Sequence, residues 1–159
     1  MLHMKSIHTW LAEYNESHRH PVNKRLHWLC VPPIVFTVFG GLRAIPVGDA
    51  LLNPATVAAL LALVYYLLLS WRLTLGIAPL LLAVLALVEF SHAALGPLHL
   101  PVMAAIFVLA WIGQFVGHQV EGKKPSFFKD VQFLLIGPLW LLADLYRRAD
   151  LELGGRLHG

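Results

Sequence analysis

Residues Ala50–Trp71 read ALLNPATVAALLALVYYLLLSW, and after a single Arg72 the chain resumes with LTLGIAPLLLAVLALVEF over Leu73–Phe90. An amphipathic helix of a soluble core would place apolar residues every third or fourth position, and a half-buried strand every second. These runs do neither. They are apolar all round, which suits a helix in an apolar solvent, and a hydrocarbon core takes about 20 such residues per crossing. Three further blocks lie outward from this pair, at Trp28–Leu42, Leu100–Gly117 and Val131–Tyr146. The first contains Pro32 and Pro33, and the last is interrupted by Gly137 and Pro138, so these two are expected to tilt, kink or re-enter. The expected fold is an all-α integral membrane bundle of four or five transmembrane helices with an N-terminal interfacial helix.

Composition agrees. Of 159 residues, 58% are hydrophobic and only 13% charged, against about 25% charged in an ordinary soluble domain. The net charge of +3 does not point to nucleic acid, because the cations sit at the ends of the apolar blocks, where membrane topology places them. Without an internal repeat, linker or low-complexity tract, the chain reads as a single membrane domain over 1–159. Within it, 1–27 is a His-rich cytoplasmic or interfacial segment, 28–149 the helical bundle and 150–159 a flexible tail. The first apolar run follows 27 residues rich in His, Lys, Arg and Asn, so this segment is expected to be retained and not cleaved as a signal peptide. Cys30 is the lone cysteine, which rules out an intramolecular disulfide or a Cys-rich metal site. Any metal must use His, carboxylate or amide ligands.

Short loops rich in Lys and Arg stay cytoplasmic. Lys5, Arg19, Lys24 and Arg25 precede the first block and Lys123, Lys124 and Lys129 follow the fourth, while Ser91–Leu100 has no Lys or Arg. An even number of crossings separates the two basic segments, so both are expected on the cytoplasmic side, although Arg43 and Arg72 break the pattern. Lacking an organelle signal, the chain is expected in a bacterial cytoplasmic (inner) membrane, with the endoplasmic reticulum as the eukaryotic counterpart. His18, His20, His27 and His118 then share one interface, and His92 and His99 fall on the other.

Two constellations carry the chemistry. In His18-Arg19-His20-Pro21-Val22-Asn23-Lys24-Arg25-Leu26-His27, Pro21 is suited to the first position of a helix, which would put Asn23 and His27 on one face and leave His18 and His20 before its start. A solvated basic helix with histidines at lipid headgroups would look the same. In Trp111-Ile112-Gly113-Gln114-Phe115-Val116-Gly117-His118-Gln119-Val120-Glu121, the residues Gln114, His118 and Glu121 form one polar stripe on an apolar helix. Such a stripe serves either an interhelical hydrogen-bond network or a site. Together the segments bring several imidazoles and a carboxylate to one interface, a ligand set that suits iron or another first-row metal. No His-Glu-x-x-His motif and no desaturase-type histidine boxes are present. Glu89, Ser91 and His92 read as a boundary network before a nucleophilic triad. His3, His8 and His158 lie near the termini, and Gly40-Gly41 reads as a turn after the first span.

These segments resemble the Mpo family of 2-hydroxy fatty acid dioxygenases. The resemblance rests on Tyr14, His18, Pro21, Asn23, His27 and Pro32 or Pro33, then on Trp111, Gln114, Phe115, Gly117, His118, Glu121 and Pro125, and on Gly137-Pro138. It implies an Fe(2+)-dependent enzyme that takes a 2-hydroxy fatty acid and dioxygen and releases the acid one carbon shorter, a step of fatty acid α-oxidation. His18, His27 and His118 are the implied ligands, with His20 the rival of His18. Glu121 is a fourth ligand or a group orienting an imidazole. Asn23 and Gln114 hydrogen-bond ligands or substrate, and Arg25, Lys123 or Lys124 holds the substrate carboxylate. The chain departs from the family at Lys124-Pro125-Ser126, and little family signature lies between His27 and Trp111. The same residues would also serve a zinc-dependent lipid hydrolase, a histidine-ligated haem protein or a non-catalytic membrane scaffold.

Overall fold

The computed structural model describes residues 5–122 and 127–153, with the side chains of 127–133 left aside. Among the described residues it is all-helical. The elements are α1 (Ile7–Glu16), α2 (Pro21–Arg43), α3 (Pro54–Leu69), α4 (Trp71–Leu95), α5 (His99–Glu121) and α6 (Phe127–Arg148), with a 3-10 turn at Gly96–Leu98 between α4 and α5.

Local chemistry sets the boundaries. His20 caps α2, its ring accepting from the Val22 N–H at 3.2 Å, and Pro21 occupies the first turn, where a missing N–H costs nothing. Asn53 and Thr56 form a capping box ahead of α3, again with Pro in the first turn. Ser70 ends α3 and caps α4 by accepting from the Leu73 N–H at 3.2 Å, so one residue separates two helices. At Gly122 a φ of 72° ends α5 in the left-handed region that a Cβ disfavours.

Two expectations change. Gly40 and Gly41 are not a turn but lie inside α2, which continues to Arg43. Pro32 and Pro33 do not break that helix either. Beginning at Pro21, α2 is 23 residues long, whereas its apolar block alone looked short.

The most extensive helix pair is α2 with α5. It runs antiparallel, since a Cβ on Gly117 would meet Asn23, one on Gly113 would meet Cys30, and one on Gly40 would meet Met103. Small residues spaced four apart let the backbones approach, as in membrane helix pairs. The main core lies beside this pair, where α6 buries Ile136, Leu139, Trp140 and Ala143 against Ile7, Leu11 and Tyr14 of α1 and Leu73 and Ile77 of α4. Of the expected flexible tail 150–159, residues 154–159 lie outside the described residues, while Leu153 packs against this core and its carbonyl accepts from Ser70 Oγ at 2.6 Å.

Two helical stretches among the described residues are long and apolar enough to cross a membrane, Pro21–Arg43 and Trp71–Glu121, the second comprising α4, the turn and α5. Outward-facing Leu60, Leu61 and Leu68 of α3, Leu75 and Leu82 of α4 and Leu109 of α5 are all more than half exposed. In water each would forfeit much of the roughly 1.5–3 kcal/mol that burying such a side chain gains.

Candidate metal centre

The site forms where the α1–α2 loop, the first turns of α2 and the last turns of α5 meet. His18 is 2% exposed, His27 2% and His118 9%, unusual burial for imidazoles unless each nitrogen is satisfied. Their candidate ligand atoms all lie within 4.8 Å of one another.

The hydrogen bonds fix the tautomers of two rings. His18 Nδ1 donates to the Tyr14 carbonyl at 2.6 Å, and His27 Nδ1 donates to the Asn23 carbonyl at 2.9 Å. A carbonyl only accepts, so each neutral ring carries its proton on Nδ1 and presents a lone pair at Nε2. Those Nε2 atoms face each other at 2.9 Å. Two lone pairs this close repel unless a cation lies against both. A shared proton serves two nitrogens, but the ring of His118 also converges, its centroid 5.5 Å from that of His18 and 5.2 Å from that of His27. Three converging imidazoles suit a metal ion, and 2.9 Å is about the spacing of two nitrogens subtending a right angle at a metal with bonds of about 2.0–2.1 Å. A porphyrin bracketed by His18 and His27 would have to separate these nitrogens, so that pair does not suit haem.

The other expected site residues take different places. Glu121 does not join the three rings, because its oxygens accept from the Arg19 N–H at 2.9 Å, the His20 N–H at 2.8 Å and Asn23 Nδ2 at 3.0 Å. Asn23 is fully buried, and its Nδ2 also donates to the Ser17 carbonyl at 3.1 Å. Glu121 and Asn23 therefore clasp the loop carrying His18 onto the ends of α2 and α5. His20 is exposed and occupied as the α2 cap. Gln114, one turn before His118, is 6% exposed and lines the same cavity as the rings. Arg25 lines a different cavity, while Lys123, Lys124 and Pro125 lie outside the described residues.

At the opposite end of α2, His99 is buried and its Nε2 donates to the Gly40 carbonyl at 3.0 Å. Glu89 is paired with Arg43, and Ser91 Oγ donates to the Val88 carbonyl at 2.8 Å. Ser91 Oγ also lies 3.4 Å from His99 Nδ1, but with Glu89 held by Arg43 the residues Glu89, Ser91 and His92 do not line up as a nucleophilic triad.

The cavity at the three rings measures about 40 Å³. Beyond the histidines and Gln114 its lining is mostly apolar, with Val31, Ile34, Trp111 and Leu134. Three contributions escaped the sequence reading. Tyr14 stacks on His18 with centroids 4.1 Å apart and planes 6° from parallel, besides lending its carbonyl. Trp140 backs that stack, 5.1 Å from Tyr14, and donates to Asn15 Oδ1 at 2.7 Å. Trp111 Nε1 is closed off from solvent without a hydrogen-bond partner among the described residues. Backbone carbonyls carry no sequence signal, and nothing local marks Trp140. Trp111 belongs to a motif already noted, but its unmet donor emerges only in three dimensions.

Comparison with known proteins places the chain in a family. Over 140 residues the chain is 30% identical to 2-hydroxy-palmitic acid dioxygenase MPO1 of Saccharomyces cerevisiae, a span covering 87% of this chain and 78% of the yeast protein. No solved structure matches. Residues 4–149 match the family described as 2-hydroxy-palmitic acid dioxygenase Mpo1-like, and to that family the chain belongs.

Proposed function

We propose that the protein is a membrane-embedded, Fe(II)-dependent dioxygenase that converts a 2-hydroxy fatty acid to the fatty acid one carbon shorter. The observation that carries this reading is the convergence of His18, His27 and His118, with two Nε2 lone pairs facing at 2.9 Å. The name of the yeast relative supports the substrate class.

His18, His27 and His118 would hold the iron. When bound, the metal supplies binding of the hydroxyl and carboxylate oxygens of the substrate and activation of dioxygen. The rest falls to the chain. Tyr14 and Asn23 keep two rings in the tautomer that presents Nε2. Glu121 holds the His18 loop in place through its backbone N–H groups. Trp111 Nε1 and the Gln114 amide offer hydrogen bonds to substrate oxygens, and Val31, Ile34 and Leu134 receive the first carbons of the tail and exclude water. A cavity of about 40 Å³ holds the reacting head alone. The alkyl chain must leave it for the bilayer, which suits an amphiphile drawn from the membrane. We assign the chain four or five crossings, with this site on the cytoplasmic side of a bacterial inner membrane, from the cations Arg19, Lys24 and Arg25 beside it.

The test is elemental analysis of protein purified in mild detergent without chelator, for wild type and for His18→Ala, His27→Ala and His118→Ala, followed by turnover of 2-hydroxypalmitate with Fe(II) in air. Near-stoichiometric iron in the wild type, lost together with turnover in each variant, is expected. Full turnover in His118→Ala would overturn the reading. Zinc in the purified protein, with lipid hydrolysis that needs no dioxygen, would replace it with a hydrolase.

A further inference from the structure

On the far side of His18 a second, larger cavity of about 790 Å³ opens between α1, α2 and α6. The register of the helices builds it. On α2 the stripe of Asn23 and His27 serves the imidazole site, while the neighbouring stripe of Lys24, Arg25 and Trp28 lines this cavity. On α6, Trp140, Asp144, Arg147 and Arg148 recur at helical spacing and face it from the other side.

Its charge is lopsided. Arg19, Lys24, Arg25, Arg147 and Arg148 line it against two carboxylates, Glu16 and Asp144. Asp144 is shared by Arg147 at 3.4 Å and Arg148 at 2.8 Å. Arg19, Lys24 and Arg25 form no ion pair among the described residues. Cations brought together from three segments repel one another, and a bound anion turns that cost into attraction.

The substrate of the proposed reaction does not fill this space, since its head and the start of its tail take the smaller cavity across His18. A carboxylate alone would also leave most of about 790 Å³ to water. The aromatic lining indicates the depth. Trp28 and Trp140 line the cavity, and the Arg148 guanidinium lies 5.9 Å from the centroid of Trp28. Indoles beside Lys and Arg are the composition found at lipid headgroups. Beside Trp28, Leu29 is 71% exposed and offers an apolar surface for an acyl chain.

We propose that this vestibule binds the phosphate of an anionic membrane lipid, with the headgroup among Arg19, Lys24, Arg25 and the Arg147–Arg148 pair. Native mass spectrometry of the full chain in detergent tests this by titration with phosphatidylglycerol and phosphatidylcholine, with inorganic phosphate and palmitate as competitors. One phosphatidylglycerol should bind at least about ten-fold more tightly than phosphatidylcholine. Lys24→Gln/Arg25→Gln and Arg147→Gln/Arg148→Gln should each weaken it by about 30-fold, on the basis of the usual contribution of two surface cations to anionic-lipid binding. Thermal unfolding of both double variants, measured alongside, reports that the fold survives. Equal affinity for the two lipids, or unchanged phosphatidylglycerol binding in both variants, would overturn the proposal. So would displacement by inorganic phosphate at matching concentration, which would make the ligand a soluble phosphate, or by palmitate, which would make the cavity a carboxylate site. The readout is binding, so it stands or falls apart from the dioxygenase reading.

Discussion

Glu121 accepts three N–H bonds at once, two of them from the backbone just before α2. Charge-assisted bonds of this kind contribute about 1.5–3 kcal/mol each when buried, less where solvent reaches them. Glu121→Gln keeps one acceptor but turns an amide N–H₂ towards donors, so it should lower Tm and weaken iron binding by roughly 10–100-fold, as loss of a group behind a metal ligand typically does. A chelator-competition titration measures this. Loss of iron as complete as in His118→Ala would make Glu121 a ligand. Trp111→Phe is expected to act in the opposite sense on stability. It removes a buried N–H that has no partner among the described residues, so Tm should hold or rise, while turnover of the 2-hydroxy acid falls because a donor to substrate is gone. Unchanged turnover with unchanged KM would remove Trp111 from the proposed site. At this scale the sequence indicated the residue types but not their division of labour. His18 and His20 look alike in a string, and the start of α2 at Pro21 makes His20 a cap and leaves His18 free to turn inward.

Among the helices, the α2–α5 pair decides whether His27 and His118 meet. A Cβ on Gly117 would collide with Asn23 Oδ1, and one on Gly113 would stand 2.5 Å from Cys30 Sγ. Gly117→Ala should push the helices apart at the site, costing about 1–3 kcal/mol for overpacking and reducing iron occupancy. Gly41→Ala is the control, because a methyl group there would have nothing within 4 Å and a helix interior favours Ala over Gly by up to about 1 kcal/mol. Thermal unfolding of the two variants, with metal content, checks the contrast. Equal effects would mean that close approach of α2 and α5 does not hold the site. The apolar blocks made these helices legible in the sequence. The role of Gly40 was not, since a Gly-Gly pair after an apolar run looks the same whether it ends a helix or lets Met103 of another helix pack against it.

For the molecule as a whole, the outward apolar faces of α3, α4 and α5 suit a non-aqueous surround. Alkaline carbonate washing of membranes should leave the protein in the pellet, and detergent should release it. Release by carbonate alone would contradict an embedded bundle. The fifth apolar block lies in α6, which contains Pro138, ends in Arg147 and Arg148 and packs against α1, α2 and α4. Among the described residues α6 is not one of the stretches long and apolar enough to cross, and the interruption expected at Gly137 and Pro138 does not occur, since the helix runs through both.

What the sequence determined by itself is local or one-dimensional. Unbroken apolar runs specify helices, proline and cap residues specify where they begin, and the clustering of Lys and Arg favours one end for His18, His27 and His118. Tertiary structure decided the rest. That Nε2 faces Nε2 at 2.9 Å depends on two backbone carbonyls and on the antiparallel register of α2 and α5. That Glu121 clasps a loop about a hundred residues away instead of joining the imidazoles depends on which groups reach it first. Such outcomes rest on distances between segments far apart in the chain, and residue identity alone carries no measure of those distances.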